Sequence, residues 1–169
     1  MNKPILQKVK NSDTKSIASV SCIAMQRNAS YSFVYQNGQC EEQQKLYFQN
    51  LLKYPQHDSQ HIIVAKHEGQ IIGYMHCWQK NSDTYFIEEL YAVKNDCHAG
   101  TFMLSHAALF AESKGMTRIE LESCVDSVEF YEQYDFVDMG LDITKGTHKM
   151  YLDLENADKL KPNNHCKAA

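Results

Sequence analysis

Glu88 and Glu89 stand side by side in "TYFIEELYAV", and Tyr131 lies in "EFYEQY". Carboxylates take up a proton and a phenol releases one, so these residue types suit general base and general acid chemistry. Adjacent strand residues point to opposite faces, which assigns one carboxylate to a cleft and the other to the outside. Between the two stretches runs "KNDCHAGTFMLSHAALF", Lys94 to Phe110, a loop around Gly100 that passes into a helix-like series of small and apolar residues. A helix start presents unpaired amides and the positive end of its dipole, which favours a bound anion. Residues His98 to Met103 are the candidate donors. The helical spacing of Met103, Ala107, Phe110 and Ala111 fits an ordinary core helix equally well.

Other reactive side chains are less organised. The six cysteines are scattered without CxxC spacing, so neither a zinc site nor a disulfide framework is indicated and reduced thiols are expected. His76-Cys77, Cys97-His98 and His165-Cys166 are neighbours in sequence, and neighbours on a strand point apart, so no metal is expected. Cys97 lies near a helix start beside His98, but sequence adjacency supplies no activating geometry. His106 reads as a surface or satisfied histidine.

The elements that must position these groups follow from pattern. "PILQKVK" reads as a strand, and "NSDTKSIASVSCIAMQ" as a helix capped at Ser12 or Asp13 with Ile17, Val20, Ile23 and Ala24 on one face. Residues 28–40 have no clear pattern. "EEQQKLYFQNLLKY" predicts a second helix stopped by Pro55. Two apolar runs flank "HEGQ", which predicts a hairpin turning at Gly69. "TYFIEELYAV" is the next strand, then a helix over 101–114 with Gly115 as its stop, and "RIELES" as a strand. Strand, helix, strand is a βαβ-like crossover. A short helix around "DSVEFYEQY" and strands at "FVDMG" and "HKMYLDL" complete the order.

With 169 residues, 43% hydrophobic and 3 prolines, the chain predicts one packed domain over residues 1–154 and a polar, disordered tail over 155–169. A net charge of -4 gives no footprint for a polyanion, so nucleic acid and anionic membranes are excluded as main partners and a neutral or cationic small molecule fits better. The opening "MNKPILQKVKNSDTK" has no apolar signal core, and no run approaches the roughly 18–20 apolar residues of a membrane span, so a cytoplasmic location is expected. The sequence leaves the oligomeric state open, a homodimer included.

This order of elements resembles the GNAT superfamily of acyl-CoA-dependent N-acyltransferases. "FIEELYAV" is similar to the family strand that carries acidic residues before "LYV", and "EGQIIGYMHC" to its "G-x-x-V/I-G" hairpin. "LESCVDSVEFYEQYDF" resembles its "L-E-x-S-x-x-A-x-x-F-Y-E-x-x-G-F" signature. The resemblance covers roughly Ile5 to Leu152.

The resemblance implies an α/β (α+β) fold with a mixed, mostly antiparallel central sheet, a V-shaped splay and flanking helices. It also implies acetyl transfer from acetyl-CoA to a small amine, possibly cationic. Tyr131 then matches the tyrosine that protonates the coenzyme A sulfur, and Glu88, with Glu89 as the alternative, is the base or amine-binding carboxylate. The cofactor-contacting positions implied are Tyr91, Ala92, Val93, Cys97, His98, Ala99, Gly100, Thr101, Phe102, Met103 and Cys124. The family loop reads Arg/Gln-x-x-Gly-x-Gly/Ala. Aligned on Gly100, Cys97 stands for Arg or Gln and Phe102 for the small residue, so one of three signature positions is kept. Those losses leave a second reading: a GNAT-fold binding module with weak or lost acetyl-CoA use.

Overall fold

A computed structural model describes residues 4–27, 40–93 and 98–161, apart from the side chains of residues 24–27 and 40. In chain order the elements are β1 (Ile5–Lys8), α1 (Thr14–Arg27), α2 (Cys40–Lys53), β2 (His61–His67), β3 (Gln70–Gln79), β4 (Thr84–Ala92), α3 (Ala99–Ser113), β5 (Arg118–Cys124), α4 (Val128–Glu132), β6 (Val137–Asp142) and β7 (Thr147–Asp153). The strands form one sheet in the order β1-β2-β3-β4-β5-β7-β6. β1 with β2, β2 with β3, β5 with β7 and β6 with β7 pair antiparallel, and β4 with β5 pairs parallel. The chain clusters into two compact units, Met1–Cys77 with Glu89–Met103, and Trp78–Glu88 with Leu104–Ala169.

In the first unit, Ile17, Ala18, Phe48 and Leu51 from α1 and α2 pack with Ile62, Val64 and Tyr74 from β2 and β3. The predicted hairpin is present. His67 pairs with Gln70, and the two loop residues Glu68 and Gly69 both have positive φ, 50° and 80°. That is the backbone a right-twisted two-residue hairpin turn needs. Asp13, 7% exposed, accepts from the Lys10 amide and from Lys66 Nζ, each at 3.0 Å, and so ties the start of α1 to β2. One expectation fails here: Cys22 on α1 is disulfide-bonded. A pairing set by proximity in space leaves no spacing signature in the sequence. Cys77 and Cys124 are not in disulfides.

In the second unit, β4 pairs with β5 from Thr84↔Arg118 to Ile87↔Leu121 and the ladder ends there, although β5 runs on to Cys124. β5 alternates, with Ile119, Leu121 and Ser123 buried and Glu120, Glu122 and Cys124 partly exposed. α3 stops as predicted. The Met116 amide donates to Ala111 O at 3.0 Å and the Gly115 amide to Glu112 O at 2.9 Å, with Gly115 at φ 75°. These are the two bonds of a Schellman cap.

The tail expected from residue 155 does not begin there. Leu154–Leu160 form two short 3-10 turns that meet at a kink at Ala157, with Leu154, Ala157 and Leu160 buried. Three isolated apolar residues among charges give no periodic signal long enough to read as an element. Residues 162–169 lie outside the described residues.

Gly73 holds a tight approach in the first unit. A Cβ there would lie 2.7 Å from Met103 Cε and 2.8 Å from the Tyr91 carbonyl oxygen. The methionine can swing, but a backbone oxygen inside a strand cannot. Gly73→Ala is therefore expected to lower the unfolding free energy by about 1–3 kcal/mol in urea denaturation. A change inside about 0.5 kcal/mol would show that the strands separate there without cost.

Candidate active site

The two neighbouring glutamates have different surroundings. Glu89 is half-buried and accepts a hydrogen bond from the Tyr74 hydroxyl at 3.2 Å. Tyr74 is fully buried, edge-on to Phe48 at 4.8 Å and stacked on Tyr91 at 5.2 Å. Burial first, and then the Glu89 carboxylate, push the Tyr74 phenol well above its usual range, so it keeps its proton and remains a donor. Glu88 is exposed and accepts from the Trp78 indole N–H at 3.2 Å, with the indole lying 5.4 Å from the Phe86 ring. Glu88 also acts electrostatically on Lys145, which bonds Glu122 at 2.6 Å. Glu88 is thus the carboxylate that solvent reaches, and Glu89 the one a core residue holds.

The predicted cofactor positions fall at the end of β4 and the start of α3. The Val93 amide donates to Ile72 O at 2.8 Å, so that amide serves the sheet. Strand alternation then turns the N–H and C=O of Ala92 to the opposite edge. Downstream, His98 has φ 49° and its carbonyl accepts from the Phe102 amide at 3.0 Å, which makes His98 the residue that turns the chain into α3. Amides ahead of that first bond, on Ala99 and Gly100, are directed out of the helix start. Gly100 belongs to the helix and not to a loop before it. Ala99, Thr101 and Met103 are buried, and Phe102 is half-buried. Cys97 lies outside the described residues.

Tyr131, on α4, is 7% exposed, with its ring between Phe130 at 5.1 Å and Phe136 at 5.5 Å. Burial, and next the nearby Cys124 thiol, raise its phenol above the usual range, so it too stays protonated at neutral pH. Its hydroxyl has no hydrogen-bond partner among the described residues. Cys124 is half-buried at the end of β5.

Sequence reasoning did not single out Tyr74 or Trp78, and it weighed His76 only as a metal ligand beside Cys77. The first two matter because of what they meet across strands, which no local pattern encodes. His76 is fully buried, and neither ring nitrogen finds a partner among the described residues. It lies two residues from Tyr74 on β3 and so shares its face. Among the described residues no cluster of three His, Cys, Asp or Glu side chains suits a metal ion, and no helix is long and apolar enough to cross a membrane.

The profile of the Acetyltransferase (GNAT) family matches residues 26–136. The chain belongs to the GNAT family. No curated protein matches it in sequence. Among solved structures, the PaiA N-acetyltransferase from Thermoplasma acidophilum, in complex with coenzyme A, is 18% identical with a TM-score of 0.73, over 90% of this chain and 99% of that one. A GCN5-related N-acetyltransferase from Rhodopseudomonas palustris is 17% identical with a TM-score of 0.69, over 90% and 97%. Ard1 from Thermoplasma volcanium is 14% identical with a TM-score of 0.66, over 90% and 98%. These likenesses establish the fold.

Three positions of the GNAT signature are altered around Tyr131, among them Ser127 in place of alanine. Cys124 stands where the signature has serine, and Asp135 where it has glycine. Asp135 adopts the left-handed backbone such a glycine would, φ 65°, and its carboxylate is bonded to Lys159 at 2.6 Å. Asp is among the residues that tolerate this region, so the cap that ends α4 survives the replacement.

Burial lowers the His76 pKa from its ordinary 6.5 to about 4, with His57 a lesser cause. The folded protein therefore holds this imidazole neutral while the unfolded chain protonates it below about pH 6.5. Its contribution is complete above that pH and is lost as pH falls towards 4, up to about 3 kcal/mol. Denaturation midpoints of wild type and His76→Leu are expected to converge, or cross in favour of the variant, as pH drops from 7 to 4. Parallel curves would contradict a neutral buried His76.

Proposed function

We propose that the protein is an N-acetyltransferase that moves an acetyl group from acetyl-CoA directly to the amine of a small, cationic substrate. The observation that carries this reading is Tyr131: a buried, protonated phenol whose hydroxyl has no partner among the described residues, within the GNAT signature. Acetyl-CoA, once bound, supplies an acetyl group activated as a thioester. Every other requirement falls to the chain: an anion-binding helix start, a path for the amine proton and a donor for the departing thiolate.

In the first unit, the backbone from Tyr91 to Val93, with Ala92 turned away from β3, and the amides at the start of α3 support cofactor binding. Anion binding there needs backbone groups and not particular side chains, so the Cys97 and Phe102 replacements weaken a cradle without abolishing it. The same chemistry does not need His98 to be charged.

In the second unit, Glu88 is the carboxylate open to solvent. It attracts the ammonium form of the acceptor and takes up the proton that the amine must lose before attack, directly or through water. The indole N–H of Trp78 orients that carboxylate. Tyr131 donates to the sulfur as the thioester opens. Glu89, already held by Tyr74, positions the strand.

Titration calorimetry with acetyl-CoA is the first test; heat of binding at micromolar to millimolar cofactor is expected, and none at millimolar concentration removes the enzyme reading. Glutamine variants separate the carboxylates. Glu88→Gln is expected to lower kcat/KM for the amine by 10²-fold or more, about the worth of a general base, with the KM for acetyl-CoA unchanged. Glu89→Gln is expected to act mainly on stability. The reverse pattern would assign the base to Glu89.

A further inference from the structure

Strand β3 emerges from the core at Trp78, the residue that follows its buried run and the chain's only tryptophan. The half-buried indole lies 5.4 Å from the Phe86 ring at a tilt of 54°, and its N–H donates to Glu88 at 3.2 Å. These residues, together with Lys80, Glu120, Glu122 and Lys145, belong to the second unit.

The glutamates on these strands differ in how their charge is met. Glu120, the register partner of Phe86, accepts from Lys80 Nζ at 2.7 Å, and the same ammonium lies 5.3 Å from the centre of the Phe86 ring. Glu122, two residues further along β5, accepts from Lys145 Nζ at 2.6 Å. Glu88 accepts from an indole N–H, which carries no formal charge, and makes no ion pair among the described residues. Lys80, Phe86 and Glu120 form a complete ammonium site built by the chain itself, with a ring under the cation and a carboxylate beside it. Trp78 and Glu88 repeat the ring and the carboxylate. Indole is the best of the aromatic faces for a cation, and giving its N–H to a carboxylate enriches that face in electron density. An ammonium placed there is attracted by the ring and the carboxylate together, whereas a neutral molecule of the same shape gains neither attraction.

We propose that Trp78 is the specificity-determining residue of the acceptor site: its N–H fixes Glu88, its ring receives the acceptor's ammonium group, and the site thereby takes primary alkylammonium substrates. The inference rests on the proposed function and deepens it. Trp78 selects which amine arrives, and Glu88 takes up the proton that this amine loses before attack.

As the only tryptophan, Trp78 reports on its own surroundings. The full-length protein is titrated at neutral pH and constant ionic strength with n-butylamine, with 1,4-diaminobutane and, as a neutral control, with n-butanol, following tryptophan emission with and without coenzyme A. At least one of the two amines is expected to change the emission saturably, at a concentration at least about tenfold below any effect of butanol. Glu88→Gln is expected to raise that concentration about tenfold while the emission still responds. In turnover, Trp78→Phe keeps an aromatic face and loses the N–H, so kcat is expected to fall about tenfold with the amine KM within about threefold of wild type. Trp78→Leu loses both, so the amine KM is expected to rise about tenfold as well. The KM for acetyl-CoA stays unchanged in both variants, a split that a merely loosened fold does not give. Equal responses to butanol and the amines, no response to either amine, or Trp78→Leu kinetics that match wild type overturns the inference. Calorimetry with acetyl-CoA on the same samples separates the failures. Any of those results with acetyl-CoA binding and turnover intact sinks the role of Trp78 alone, and neither binding nor turnover sinks the acetyltransferase reading with it.

Discussion

Strand β3 is buried from Ile72 to Cys77 on both of its faces, and the chemistry around it follows from that constraint. A strand with no solvent face must satisfy or tolerate every polar group it carries. Tyr74 satisfies its hydroxyl on Glu89, Cys77 turns its thiol to His61 O, and His76 has neither nitrogen paired among the described residues. Gly73 gives up a side chain so that the Tyr91 carbonyl and Met103 can close on it. The end of β4 and the start of α3, where cofactor contacts are proposed, are thus seated against a strand that cannot yield.

Two buried phenols, Tyr74 and Tyr131, differ in what their protons are committed to. Both are pushed to higher pKa by burial, so both are acids that hold their proton at neutral pH. Tyr74 has spent its O–H on a carboxylate. Tyr131 has not, and a donor is useful in catalysis only if the substrate is its acceptor. The same reasoning divides the glutamates, since Glu89 is occupied from the core and Glu88 is open to solvent. Burial ranks these groups where residue type alone leaves them equal.

What was legible in the sequence was local. The Glu68-Gly69 turn and the Gly115 cap are written in two or three adjacent residues, and the structure places both. The family match reaches the elements through "FIEELYAV" and "EFYEQYDF", stretches whose order and spacing survive at low identity. Contacts between strands were not legible. Neither Trp78 with Glu88 nor Tyr74 with Glu89 has a spacing signature, because strand register decides who meets whom. Gly100 drew attention as the loop glycine and lies within a helix, while Gly73, inside the predicted hairpin, meets close surroundings that no local pattern signals. The 3-10 turns over Leu154–Leu160 were hidden by their charges, and the Cys22 disulfide has no spacing signature.

The measurement closest to the central claim is steady-state acetyl transfer from acetyl-CoA to a panel of primary amines and polyamines, wild type against Tyr131→Phe. The phenylalanine variant keeps the buried ring and its packing on Phe130 and Phe136 and loses only the unspent hydroxyl. The account predicts turnover by the wild type on at least one cationic amine, and a fall in kcat of about 10²-fold or more in the variant with little change in the KM for acetyl-CoA. Equal kcat in the two proteins would contradict Tyr131 as the proton donor.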